Sequence, residues 1–324
     1  MHELGTVPVV LGIDFGGTKI AAALCTLAGV RIDSVTVESG GAEGAKASIA
    51  HGIATARALH ARAAPGRPLG GVGVCTFGIP GEDSVTLAPA IAGWDDLAFG
   101  RELRAAFPGT PLRMATDVKA AAQAELRWGS LAGCDPALYL NLGTGLAAAI
   151  VAGGHVLNGA HGAAGEIGYN LRSPYDVGVA GSDRVILEDV VSGRALADLA
   201  GAALARPISA AEAFELAETD PVAADLVEQF VRELTMHVVN LAVAIDPVRI
   251  AVGGGMMRSW ARIEPTLRQA LAAAVPFPPE LVPAEFPYDA PLIGALALGL
   301  EAAGSALTTH AAGLAATVDQ GAHA

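Results

Sequence analysis

Two segments in separate halves of the chain carry one device. Val9 to Leu24 reads VVLGIDFGGTKIAAAL, and Ala137 to Gly154 reads ALYLNLGTGLAAAIVAGG. Each is an apolar run, a tight turn of glycine and threonine, and a second apolar run. Without Cβ atoms in the way, the amides of such a turn form a concavity that accepts phosphate oxygens. Gly16, Gly17 and Thr18 supply the first turn and Gly143, Thr144 and Gly145 the second. Two such turns suit the phosphates of one nucleotide, which points to phosphoryl transfer. Lys19 is either a phosphate contact or an outward strand residue. Asp14, closing an apolar strand, either starts a turn or holds something. Asp117 follows a strand and opens a helix, where aspartate caps well. Glu166 lies among small residues in HGAAGEIGYN, with room to reach a ligand. Glu188 is at least a favourable first-turn acid. Gly254 and Gly255 would let an adenosine lie flat on backbone, or make an ordinary strand-to-helix turn.

The elements that must position these groups follow from periodicity. Beyond the first hairpin, Arg31 to Ser39 alternates as a third strand, and Lys46 to Ala63 reads as a helix. Gly71 to Glu82 is a buried strand running into a Gly/Pro loop. A helix around LAFGRELRAAF, a short strand PLRMATD and a helix from Asp117 come next. The second half repeats the order: the hairpin at 137–154, a glycine loop at 159–168, then helices over 187–204, 210–216 and 221–245. Asp246 to Met257 is a strand ending in glycines, with a helix behind it. The final helix, PLIGALALGLEAA, is apolar enough to dock on a sheet. In both halves the glycine turn leads into another strand rather than a helix, which argues against a dinucleotide-binding fingerprint, and no GxGxxG is present.

The 324 residues suffice for two domains. Hydrophobic content is 52%, yet Gly, Pro or charge breaks every apolar run before it could cross a bilayer. The start lacks the basic region of a signal peptide, so a cytoplasmic protein is expected. The net charge of −13 argues against nucleic acid. Cys25, Cys75 and Cys134 are scattered and read as inert core thiols.

Six segments resemble, in order, the ROK family of bacterial sugar kinases and sugar-responsive repressors, within the α/β actin-like/hexokinase-like (ribonuclease H-like) ATPase superfold. They are DFGGTK from Asp14 to Lys19, GIPG from Gly78 to Gly81 followed by Gly93-Trp94, and GTG from Gly143 to Gly145. AGEIG from Ala164 to Gly168, LEDVVSGRAL from Leu187 to Leu196, and GGG from Gly253 to Gly255 complete the set. The resemblance runs from about Val9 to Ala303. It implies ATP and Mg²⁺ as cofactors, with Asp14 positioning Mg²⁺ through water. The two glycine turns, Lys19, Gly254 and Gly255 would bind ATP. Asp117 would be the general base, and Glu166 and Glu188 would accept hydrogen bonds from sugar hydroxyls. Gly78, Pro80, Gly81, Thr116 and Tyr169 complete the sugar side. Residues 1–115 with 291–304 would form one domain and 116–290 the other, around a cleft that closes on substrates. A disordered tail is expected over 305–324, and a homodimer through the apolar helix at 221–245.

The chain also departs from that pattern. Tyr169 stands where the family has a zinc-binding His, and YDVGVAGSDRVILE lacks the family's CxCGxxGC cysteines, so no zinc is expected. Thr116 and Lys119 replace common asparagines. Lys119 would pair with phosphate, steady Asp117, or be a solvated helix residue. Pro89-Ala90 replaces a Pro-Asn, and Leu146 to Ala149 replaces glycines. A kinase of a hexose or aminosugar primary hydroxyl is the leading expectation, glucose first. The alternative is a non-catalytic sugar-binding protein without a DNA-binding domain.

Overall fold

Apolar character from Val9 to Ile13 marks β1 (Val9–Phe15) as a central strand, and it lies between β2 (Lys19–Thr26) on one side and β4 (Leu69–Thr76) on the other. The computed structural model describes residues 7–88 and 90–304. Two compact units divide the chain at Gly129/Ser130 and again at Tyr288/Asp289.

The first unit begins with β1, β2 and β3 (Arg31–Glu38), an antiparallel meander. Helix α1 (Ala45–Ala63) then crosses to β4, which runs parallel to β1. A small hairpin of β5 (Ile79–Pro80) and β6 (Val85–Thr86) precedes α2 (Phe99–Ala106). Strand β7 (Leu112–Thr116) pairs parallel with β4 and hands over directly to α3 (Asp117–Trp128). The sheet order is β3-β2-β1-β4-β7. Its core gathers Phe15, Trp94 and Phe99, all fully buried, with Phe15 and Phe99 edge to face at 5.4 Å.

The second unit repeats the plan. Strands β8 (Ala137–Leu142), β9 (Leu146–Ala152) and β10 (His155–Val156) form the meander. Helices α4 (Gly193–Ala203), α5 (Ala210–Leu216) and α6 (Pro221–Ile245) follow. Strand β11 (Arg249–Gly253) joins β8 in parallel, α7 (Trp260–Ala274) crosses over, and β12 (Glu280–Pro283) completes the order β10-β9-β8-β11-β12. The core is built from Leu138, Leu140, Phe214, Phe230, Leu234 and Val252 among others.

The chain then returns to the first unit as α8 (Ala290–Ala302), apolar and buried all round from Leu292 to Leu300, as such a stretch of helix must be. Backbone lies on backbone here. A Cβ at Gly73 of β4 would stand 1.9 Å from the Ala295 carbonyl oxygen, and one at Gly294 of α8 1.7 Å from that of Ala120 in α3. That second approach places α3 in the first unit, whereas the sequence reading put it in the second.

Four local differences have physical causes. The stretch expected as helix from Leu187 is a 3-10 turn (Leu187–Asp189), and α4 starts only at Gly193, because Ser192 caps it through the Ala195 amide. Strand β12 was not expected: its short sequence sits among prolines, which an edge position tolerates. The cap of α3 is Thr116, not Asp117. Lys119, one reading of which was a solvated residue, is 3% exposed. The tail reading over 305–324 and the one at Pro89 lie outside the described residues. Among the described residues no helix is long and apolar enough to cross a membrane.

Candidate functional site

The GGT turn is closed by the Gly16 amide donating to the Lys19 carbonyl at 2.9 Å. Ser39, buried at the end of β3, braces it: its amide donates to Thr18 O at 2.8 Å and its hydroxyl to Gly17 O at 2.9 Å. Nothing in its sequence context singled out Ser39. Thr18 and Lys19 are exposed, and Lys19 stands opposite Glu38 in the ladder.

Register explains where the carboxylates fall. Asp14 pairs with Cys75, Cys75 with Ala115, and Thr76 with Thr116, so β1, β4 and β7 end level. Asp14 and Asp117 therefore come together at the carboxyl ends of three parallel strands, the usual ligand-facing end of such a sheet. The Cys75 thiol, fully buried, lies 3.3 Å from both Asp14 Oδ1 and the Pro291 carbonyl, two acceptors for one proton. Burial, and then the Asp117 charge, push Asp14 up to about 7. Burial pushes the Cys75 thiol up as well. Thr116 Oγ1 accepts from the Lys119 amide at 3.2 Å and Asp117 Oδ1 from the Val118 amide at 2.8 Å. The helix N-terminus thus fixes Asp117 in place. Nearby in sequence, Gly78, Pro80 and Gly81 form the β5–β6 hairpin, with Gly81 N donating to Ser84 O at 2.9 Å. Trp94 is fully buried and donates to Thr76 Oγ1 at 3.1 Å, so its task is to hold the end of β4.

In the second unit Glu188 is central. Its Oε2 accepts from the Leu146 amide at 2.8 Å, directly behind the GTG turn, and its Oε1 lies 3.7 Å from Arg194 Nη2. A Cβ at Gly145 would stand 2.5 Å from Glu188 Oε2, so a side chain there would displace this carboxylate. The AGEIG loop is clamped to β9 by Ala148 N donating to Gly165 O at 2.8 Å. Gly165, at φ +89°, leaves no room for a side chain against Ala148 O. Burial, followed by the charges of Glu188, Glu166 and Asp189, raises the Tyr169 phenol. Glu166, Tyr169 and Glu188 are thereby one cluster.

The segment after Tyr169 is fastened to α6. Arg172 grips Glu233 with two hydrogen bonds, at 2.7 and 2.6 Å. Asp176 Oδ2 accepts from the amides of Arg172 and Ser173 at 2.7 and 2.9 Å, and Arg184 donates to Tyr169 O at 2.6 Å. His237 Nδ1, kept neutral by burial, faces the Asn170 amide at 3.2 Å.

A cavity of about 580 Å³ opens between the GTG turn and the Gly254-Gly255 turn. Gly143, Thr144, Gly254 and Gly255, all expected at the nucleotide, line it, while Gly145 faces Glu188 instead. The start of α4 is stitched to the first turn: Gly193 N donates to Gly143 O at 2.8 Å and Arg194 N to Thr144 O at 3.3 Å. Arg194, Arg258, Met256, Met257 and Tyr288 also line the cavity and were not singled out from the sequence. Arg194 lies within LEDVVSGRAL and Met256 to Arg258 directly follow the GGG turn, so what no local motif encodes is that these two segments and Tyr288 meet at one cavity. Among the described residues no three His, Cys, Asp or Glu side chains are grouped to hold a metal ion.

This arrangement of paired sheets and glycine turns has known counterparts. The ROK family profile matches residues 10–302. The chain belongs to the ROK family. Kanosamine kinase of Amycolatopsis mediterranei is 31% identical over 311 residues, spanning 93% of this chain and 99% of its own. The ROK hexokinase of Thermus thermophilus superposes with a TM-score of 0.76 at 30% identity, over 90% of this chain and 97% of its own. A ROK family glucokinase from Streptomyces griseus, solved in complex with glucose and AMPPNP, gives a TM-score of 0.71 at 27% identity, over 90% and 99%. The fold is the actin-like ATPase fold of these ROK sugar kinases.

Proposed function

We propose that this ROK protein is an ATP-dependent carbohydrate kinase that phosphorylates a primary hydroxyl of a hexose or aminosugar. The observation that carries the reading is Asp117, an aspartate fixed at the first turn of α3 beside Asp14 at the carboxyl ends of β1, β4 and β7. Asp117 takes the hydroxyl proton as the sugar oxygen attacks the γ-phosphorus and the bond to ADP breaks. Most of the acceleration in such reactions comes from positioning and charge neutralisation, with the base adding about 10²–10⁴-fold. Glu166 and Glu188 supply acceptor-only oxygens for sugar hydroxyls, Tyr169 adds a phenol and a ring face, and Gly78, Pro80, Gly81 and Thr116 complete the sugar side. The GGT and GTG turns, Lys19, Gly254 and Gly255 bind ATP.

Mg²⁺ fits the groups present: it binds through one or two carboxylates, water and substrate phosphates, and Asp14 is a half-buried carboxylate raised by desolvation and then by a second carboxylate, which a cation would relieve. When bound it would neutralise phosphate charge. Zinc has no part in this reading, since Tyr169 and a cysteine-free segment stand where the family's ligands would be. The names of the relatives, kinases throughout those reported, favour catalysis over the non-catalytic sugar-binding alternative. A homodimer through α6, which exposes Met236 and Val243, and a cytoplasmic site of action belong to the same reading.

Incubation with Mg-ATP and a panel of glucose, N-acetylmannosamine, N-acetylglucosamine, kanosamine and fructose tests it. ADP release with at least one sugar is expected, reduced by about 10²-fold or more in Asp117→Asn. Release with none of them, or release indifferent to Asp117→Asn, overturns the reading.

A further inference from the structure

The cavity in the second unit departs from the electrostatic character of the chain around it. The protein carries a net charge of −13, yet among the described residues lining this cavity the charged side chains are Arg194 and Arg258, with no carboxylate. Arginine concentrated where acids are absent marks a place for an anion. The position of Arg194 is built rather than incidental. Its amide is tied to the Thr144 carbonyl, so the base of the side chain moves with the GTG turn. Glu188, itself held by the Leu146 amide, stands 3.7 Å from the guanidinium, close enough to orient it and too far to hydrogen-bond it tightly. About half of the Arg194 side chain stays exposed. Its remaining N–H groups form a fork that matches phosphate oxygens.

Resting on the kinase reading above, we propose that Arg194 and Arg258 are nucleotide-binding residues of this enzyme, gripping the phosphate chain of the nucleotide. Glu188 acts through Arg194 as a positioning residue. The glycine amides of the two turns contribute fixed partial charges, and the arginines add full ones. Glu188 thereby touches both sides of the reaction. One oxygen sets the turn and the other steers the guanidinium, while the same carboxylate belongs to the Glu166–Tyr169 cluster expected to meet the sugar.

Calorimetric titration of the wild type, Arg194→Ala, Arg194→Lys and Arg258→Ala with adenosine, ADP and AMPPNP tests this without requiring turnover. The expected result is a loss that grows with phosphate number. Each alanine variant binds AMPPNP about ten-fold or more weaker and ADP less affected, with adenosine within two-fold of wild type. Arg194→Lys keeps the charge and recovers part of the loss. Glu188→Gln weakens AMPPNP in the wild-type background and has no further effect on Arg194→Ala. AMPPNP binding within two-fold of wild type in both alanine variants overturns the inference and leaves the kinase reading intact. Equal weakening of adenosine and AMPPNP also overturns it, because the arginines would then be shaping the cavity rather than binding phosphate. A wild type that binds no nucleotide overturns both.

Discussion

Asp14 is a carboxylate whose burial works against its charge. It sits near 3.8 in the unfolded chain and is pushed up to about 7 by desolvation and by Asp117. Between those values the folded state holds a proton that the unfolded state has released. Stability of the ligand-free protein therefore falls as pH rises from about 4 to about 7 and is level above that. Asp14→Asn removes the charge and is expected to stabilise the ligand-free protein by about 2 kcal/mol at pH 8, a discounted fraction of the full shift. The gain vanishes near pH 4, as urea unfolding at the two pH values would register; a gain of equal size at both would mean that the charge is not its source. The same substitution is expected to abolish turnover, separating stability from activity at one position. Residues of this kind were legible because a carboxylate closing an apolar strand is chemically out of place. Lys119 was less legible: the sequence left a phosphate contact, a support for Asp117 and a solvated helix residue all open, and its burial comes from the packing around α3.

At the scale of elements, the strands and helices that could be read were those with clean periodicity, such as the hairpins and α6. Strand β12, set among prolines, and the 3-10 turn carrying Glu188 were hidden, because tertiary partners rather than local preference define them. That α8 docks on a sheet was legible in its apolar sequence, but the backbone-to-backbone closeness of its approach to β4 was not, although the glycines that permit it are plain in the sequence. Gly73→Ala would force its methyl against the Ala295 carbonyl and is expected to destabilise the protein by about 3 kcal/mol, measured as a lowered urea midpoint; an unchanged midpoint would mean that the helix shifts freely. The segment behind Tyr169 gives a second test. Arg172 and Glu233 are both largely buried in their two-pronged pair, so Glu233→Gln leaves a guanidinium poorly matched, at a cost of about 1–3 kcal/mol. Because that segment carries Tyr169 while other segments build the nucleotide cavity, KM for sugar should rise more than KM for ATP. Equal rises would show that the fastening serves the whole unit rather than the sugar cluster.

For the molecule as a whole, the two sheets share one strand order, each a three-stranded meander extended by two parallel strands. The duplicated glycine turns follow from that shared plan, since each joins the first two strands of its meander. The copies have diverged in chemistry: one turn stands beside Asp14 and Asp117, the other beside Glu188 and Arg194. On addition of AMPPNP, amide hydrogen exchange should slow most at 143–144, 193–197 and 254–259, the lining of the cavity; slowing spread evenly over both units would speak for general tightening instead. The return of the chain as α8 has a further consequence, during synthesis. The second unit is contiguous and can complete itself as it leaves the ribosome. The first has all its strands by Thr116, yet must wait for Ala290–Ala302 to cover them, roughly 10–30 s later at ordinary elongation rates. Throughout that interval a nascent chain displays a bare apolar sheet face, the kind of surface that invites aggregation or chaperone capture.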